Sequence, residues 1–377
     1  MRIVIIGLTI TSSWGNGHAT TYRGLVRELC ARGHDVLFLE HDKPWYAAHR
    51  DLPAPPYGRT ALYDHFDDLR HRFTGDVRDA DVVVVGSYVP DGVAVGEWVL
   101  GAGRGIRAFY DIDTPVTLAK LARGDTEYVT RDLIRRYDLY LSFTGGPTLE
   151  RLEREFGSPR ARPLYCSVDP CLYHPEDVRP SWDLGYLGTY SVDRQPTLEA
   201  LLLEPARRWC EGRFVVAGPQ YPDAVGWGRV DRIAHLPPAE HRAFYNRQRF
   251  TLNVTRADMV AAGHSPSVRL FEAAACGTPI ISDAWEGFDW FFEPGTEALV
   301  ARSADDVLRH LRDVGEPARR EIGRRGRARV LASHTAAHRA AELEGYLMDL
   351  TRPSHGPPAR AQTADHGRDA RATGGAS

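Results

Sequence analysis

The sequence predicts an α/β protein made of two Rossmann-like units whose parallel sheets face a central cleft. Three observations carry this expectation. Apolar runs of strand length alternate with helical patterns from end to end, the signature of a parallel sheet covered by helices. The series starts twice, with a proline-rich connection between the two runs. A chain of 377 residues is long enough for two domains of ordinary size with substantial cores.

The elements follow in order. The opening "MRIVIIGL" reads as a core strand over 2–7; with no longer apolar region behind it, it is neither a signal peptide nor a membrane span. Further strands are expected at 35–40 ("DVLFLE"), 81–86 ("DVVVVG"), 106–110 ("IRAFY") and 138–143 ("DLYLSF"), with helices at 18–32, 127–136 and 147–156. The second series has strands near 183–188, 213–217, 250–254, 278–282 and 298–301, then three helices between about 303 and 350. Between the halves, "RPLYCSVDPCLYHP" (162–175) has three prolines among turn-forming residues and reads as a hinge. The expected organisation is a first unit over 1–165, a hinge over 166–178 and a second unit over 179–351. Residues 352–377 are nearly free of large apolar side chains and read as a disordered tail.

Composition narrows the function. Forty-seven basic against 50 acidic residues give a net charge of -3, so no global field draws nucleic acid or anionic membrane, although the lack of a span leaves peripheral membrane contact open. Lys43 and Lys120 are the only lysines, so an anion site must be built from guanidinium groups. Five scattered cysteines make no disulfide framework and point to a reducing compartment, hence a cytoplasmic location. Cys166, Cys171 and His174 lack the second ligand pair of a zinc site.

Several constellations stand out. In "HSPSVRLFEAAACGTPIISD" (264–283) a helix is expected to open on Ser265, Pro266, Ser267 and Val268, presenting backbone N–H groups to an anion, with Arg269 beside them. The alternative is a core helix capped by Ser265 with Arg269 exposed. In "TSSWGNGHAT" the glycines Gly15 and Gly17 flank Asn16, and His18 starts a helix; G-x-G-x-x-G is absent, which argues against a dinucleotide site. His18 on the cleft could take a proton from a hydroxyl, or it and Asn16 could simply cap the helix. "FYDIDTP" places Asp111 and Asp113 one residue apart: a pair able to hold a divalent cation, turn-forming aspartates, or, as favoured here, Asp113 alone as a cleft residue orienting acceptor or base. Trp285, Trp290 and Tyr190 suit either a sugar site or the core.

Two Rossmann-like units, the hinge "CSVDPCLYHP" and the segment "SPSVRLFEAAACGTPIISD" together resemble the GT-B glycosyltransferases. The likeness is to the spore-maturation, CgeB-type branch of the glycosyl transferase family 1 superfamily. Val168, Asp169, Tyr173 and Pro175 match that superfamily's hinge connector, and the donor-domain likeness runs from about 183 to 301. The resemblance implies a glycosyltransferase moving a sugar from a nucleotide-diphosphate donor to an unidentified acceptor, with no metal or other cofactor required. It implies that Glu272 binds the donor ribose and that Gly188 and Arg194 ("YLGTYSVDRQP") meet the phosphates. Retaining relatives carry two glutamates eight positions apart; counting back from Glu272 gives His264, which alters the contact to the transferred sugar. That departure keeps open a fold relative that binds without catalysing, and a nucleotide-sugar epimerase is a third reading.

Overall fold

The computed structural model describes residues 1–14 and 17–351. The expected tail, and Gly15 and Asn16 of the first loop, lie outside the described residues.

Two wholly parallel sheets form the molecule. The first holds β1 (Arg2–Gly7), β2 (Asp35–His41), β3 (Arg59–Tyr63), β4 (Val82–Gly86), β5 (Ile106–Asp111), β6 (Leu139–Ser142) and β7 (Ala161–Pro163), in the order β3-β2-β1-β4-β5-β6-β7. The second holds β8 (Trp182–Leu187), β9 (Phe214–Ala217), β10 (Asp231–Ile233), β11 (Gln248–Asn253), β12 (Ile280–Ser282) and β13 (Leu299–Val300), in the order β10-β9-β8-β11-β12-β13. Central strands such as β1 and β4 are buried on both faces, so they read as unbroken apolar runs. In each sheet the chain starts mid-sheet, runs to one edge and returns beside its first strand. Crevices therefore open at the carboxyl ends of β1/β4 and β8/β11, where sheets of this kind bind ligands.

The structure departs from the sequence reading in four places. β3, β7 and β10 were not expected; each is an edge strand with polar or proline residues and no continuous apolar signal. The helix expected over 127–136 spans Arg131–Arg136, because the Thr130 hydroxyl caps it by accepting from the Leu133 N–H at 3.1 Å. The helix expected to open at Ser265 instead spans Val268–Ala275, with Ser267 as its N-cap residue and Ser265 and Pro266 in the preceding loop. The last helix, Ala336–Thr351, follows the second unit in sequence but lies against the helix His18–Ala31 of the first. Its Leu343 and Leu347 join Leu25, Val26 and Leu29 in one core, and Glu344 meets Arg32 and His34.

The chain thus crosses between units twice, side by side. Val168 in the hinge bridges Thr335: its N–H donates to the His334 carbonyl at 3.1 Å, and the Ala336 N–H donates back to its carbonyl at 3.0 Å. A second seam, which adjoins the hinge through the Cys166 thiol and the Pro266 carbonyl, joins 144–146 to 264–266. There Gly145 N–H meets the His264 carbonyl at 3.0 Å, and the Thr144 and Ser265 hydroxyls lie 2.9 Å apart.

Candidate functional site

The first unit contributes the loop after β1. Glu40, at the end of β2, is fully buried and gathers that loop: its carboxylate accepts from the N–H groups of Ile10 (2.7 Å) and Thr11 (2.9 Å) and from the hydroxyls of Thr11 (2.6 Å) and Thr9 (3.1 Å). Ser13 is then fixed by Asp51, which Arg23 grips through two bonds of 2.8 Å. The loop delivers Gly17 and His18 to the crevice. His18 is only 8% exposed, sits edge-on to Tyr88 and has no hydrogen-bond partner at Nδ1. Burial lowers its pKa to about 4, so the imidazole is neutral at neutral pH.

Across the crevice, β5 ends in the two aspartates, and their environments separate them. Asp111 turns into the core, where it accepts from the hydroxyls of Tyr140 (2.5 Å) and Thr117 (2.8 Å) and from the Asp113 N–H (3.1 Å); burial raises its pKa to about 6. Asp113 faces the cleft, where the Tyr88 hydroxyl donates to it at 3.2 Å and Arg256 approaches to 3.9 Å. Burial raises its pKa against the opposing pull of Arg256. The two carboxylates therefore do not converge on one cation. Among the described residues no group of three His, Cys, Asp or Glu side chains has the geometry of a metal site.

The second unit contributes three arginines and a carboxylate. Gly188 follows β8 directly, and a Cβ there would come within 2.5 Å of the Tyr186 hydroxyl and 2.9 Å of Arg269 Nη2. The missing side chain lets the guanidinium lie against the backbone. Arg269, 7% exposed, donates to the Leu187 carbonyl and to Asn253 Oδ1 (2.9 Å), and stacks over Tyr186. Among the described residues no carboxylate comes within ion-pair distance of it, and the buried Asp283 carboxylate offsets its charge only at longer range. Such a charge is costly unless an anion joins it. Arg194 spends Nη2 on the Thr189 carbonyl at 2.7 Å and leaves Nε buried without a partner. Ser267 donates to Asn253 Oδ1 at 2.8 Å, which ties the start of the Val268–Ala275 helix to the end of β11. Glu272, one turn further along that helix, is 4% exposed and accepts from the Tyr245 hydroxyl at 3.0 Å. His241 Nδ1 lies 3.9 Å from the same carboxylate.

These groups line two adjoining cavities. One, of about 190 Å³, holds Glu272, His241, Gly188, Gly218 and Pro219. The other, of about 240 Å³, holds His18, Asp113, Arg194, Arg256 and Ser267. Gly17, Val268 and Arg269 line both. One path thus runs from a carboxylate that can accept from hydroxyl groups, past three guanidinium groups, to a neutral imidazole beside an aspartate.

Some expected residues lie elsewhere. His264 lines neither cavity: it has φ +46°, and its ring is wedged between Gly146 and Gly287, edge-on to Trp290, in the seam. Ser265, bonded to Thr144, is also a seam residue. Trp285 belongs to the core with Phe288 and Phe291, Trp290 is exposed against His264, and Tyr190 packs on Tyr221. Cys166 is buried and donates to the Pro266 carbonyl, while Cys171 is exposed. The sequence reading missed His241, Tyr245 and Arg256. Only Arg256 had a usable signal, as the first basic residue after β11, the position that Arg194 occupies after β8.

Comparison with known proteins bears on the fold. Residues 194–345, less than half of the chain, match the family model described as glycosyl transferase-like. No curated protein matches in sequence at a significant level. Solved structures do match: sucrose-phosphate synthase from Thermosynechococcus elongatus (15% identity, TM-score 0.68, covering 93% of this chain and 99% of that one), and HepE from Anabaena in complex with UDP and glucose (11% identity, TM-score 0.66, covering 93% and 100%). A Listeria monocytogenes protein assigned as a UDP-N-acetylglucosamine 2-epimerase is less similar (12% identity, TM-score 0.56, covering 92% and 96%). The fold is that of the GT-B glycosyltransferases; at these identities the structural likeness speaks for the fold alone.

Proposed function

We propose that this chain is a nucleotide-sugar-dependent glycosyltransferase of hexosyltransferase type, in the CgeB-type branch, acting on an acceptor held against the first unit. The observation that carries the reading is Arg269, a nearly buried guanidinium with no described carboxylate within ion-pair distance, one helical turn from Glu272 in the same cavity. A nucleoside diphosphate fits both: the ribose hydroxyls donate to Glu272 and the diphosphate supplies negative charge at hydrogen-bonding distance from Arg269. The matching family over 194–345 and the UDP-bound GT-B neighbour support the same ligand class. Metal-independence belongs to the proposal, because three arginines can offset the charge that develops on the leaving diphosphate.

In the reaction the acceptor hydroxyl attacks the sugar carbon bonded to the diphosphate. That carbon–oxygen bond breaks, its electron pair leaves with the diphosphate, and the hydroxyl proton passes to neutral His18. Asp113 orients the acceptor or the imidazole. The two units close over the reactants and exclude water.

The test is calorimetric titration with a panel of nucleotide sugars in the presence of EDTA, followed by donor turnover with cell extract. One nucleotide sugar should bind, and turnover should depend on extract. If no nucleotide or nucleotide sugar binds, the reading fails; a donor isomerised without acceptor would assign an epimerase instead.

A further inference from the structure

We propose that Arg256 binds the distal phosphate of the donor diphosphate and that, in the empty cleft, Asp113 of the first unit holds it in reserve. This rests on the nucleotide-sugar reading above, which counts Arg256 only as one of three positive charges, and assigns it one phosphate and a resting partner.

Arg256 follows β11 directly and precedes the helix Ala257–Ala262. Its guanidinium stands between Asp113 Oδ2 at 3.9 Å and Asp193 Oδ2 at 3.8 Å. Both contacts are at the outer limit of an ion pair, and neither is a hydrogen bond. The two carboxylates are engaged elsewhere: Asp193 accepts from the Ala257 N–H at 2.9 Å and from the Ser191 hydroxyl, and Asp113 accepts from Tyr88. Arg256 Nε is buried with no acceptor, as is Nε of Arg194. Two guanidinium groups thus line one cavity with hydrogen-bonding capacity to spare, which suits an oxyanion with several acceptor atoms.

The cavity linings give the order of contacts. Arg269 lines both cavities, whereas Arg194 and Arg256 line only the one that holds His18 and Asp113. A diphosphate running from Glu272 towards His18 meets Arg269 first and Arg194 and Arg256 last. The distal phosphate is the one bonded to the transferred sugar, so Arg256 acts on the leaving group. Its move from Asp113 to the phosphate also frees that carboxylate for the acceptor side, so donor loading precedes the engagement of Asp113.

The test compares wild type, Arg256→Gln, Arg256→Lys and Asp113→Asn by calorimetric titration with UDP and UMP, GDP and GMP, and ADP and AMP. For the base bound tightest by wild type, Arg256→Gln should reduce the preference for diphosphate over monophosphate by about tenfold or more, leaving monophosphate affinity unchanged. Arg256→Lys should restore part of it, and Asp113→Asn should tighten diphosphate binding by removing the competing charge. Equal weakening of mono- and diphosphate in both Arg256 variants, or an intact preference in Arg256→Gln, overturns the proposal. If wild type binds no diphosphate, the nucleotide-sugar reading itself falls, a result visible before any variant is made.

Discussion

Glu272→Gln separates a ribose ligand from a structural carboxylate. The hydroxyls of Tyr245, at 3.0 Å from Oε2, and of Tyr173 fill two of the roughly four lone-pair sites of the carboxylate and leave room for two further hydroxyl donors. Hydrogen bonds to a charged group contribute about 1.5–3 kcal/mol each, against about 1 kcal/mol for neutral pairs. Glutamine keeps the shape and can still accept from Tyr245, so the expected loss is the difference, about 0.5–2 kcal/mol for each ribose hydroxyl. Two such contacts correspond to roughly 5- to 1,000-fold in affinity. The assay is calorimetric titration of the nucleoside diphosphate bound tightest by wild type against its 2′,3′-dideoxy analogue, with melting curves as the control for folding. The ribonucleotide should lose affinity while the already weaker dideoxy analogue barely changes. Equal loss for both would refute the ribose assignment, because an effect that ignores the hydroxyls must come from the fold around Tyr245 and His241.

Other expectations follow from the same geometry. Arg269→Lys should weaken diphosphate binding by about tenfold or more, since one ammonium cannot serve Leu187, Asn253 and a phosphate together; titration reads it directly. His18→Gln should cut turnover by roughly 10²- to 10⁴-fold with donor affinity retained, so parallel losses in both would argue against a proton-transfer role. The same variant tests a pH effect: with a folded pKa of about 4 against an ordinary 6.5, His18 adds no penalty above pH 6.5, and wild type loses stability as pH falls from 6.5 to 4, by about 3 kcal/mol in all. Buried His334 acts in the same direction and Asp111 in the opposite one, so the measurement is the difference between wild-type and His18→Gln melting temperatures across that window. Glu40→Ala strips four donors of their acceptor and should cost about 2–4 kcal/mol in chemical denaturation, with donor affinity falling as the loop before His18 loosens.

The legible parts of the sequence were those whose environment is uniform. Strands such as β1, β4 and β5 are covered on both faces, so their apolar runs announce them, and the order of two βα series follows from chain connectivity. Edge strands such as β10, with three residues and one apolar side chain, carry no such signal. Glu272 and Arg269 were singled out because a charged residue amid alanines and phenylalanine on a short helix is costly unless it has a task. His264 shows where spacing alone misleads. Counting eight residues back gives its number, but the left-handed backbone after Gly263 turns the ring into the seam. Arg256 shows a signal left unread: it is the first basic residue after β11, as Arg194 is after β8, and the fold sets Asp113 opposite it. The amphipathic pattern of the last helix says that it covers something, and only the structure says which unit.

That last helix sets the order in which the molecule can be completed during synthesis. The surface formed by Leu25, Val26 and Leu29 belongs to the first unit, yet Leu343 and Leu347, which cover it, are translated more than 300 residues later. A ribosome releasing the first 165 residues therefore presents a sheet whose helical layer is still open on one side. The uncovered patch stays available to chaperones or to neighbouring nascent chains until the chain is nearly finished. A fragment cut at the hinge would carry that patch permanently, so the boundary most apparent in the sequence is a poor place to divide the protein. Grafting 336–351 back onto such a fragment would restore its cover.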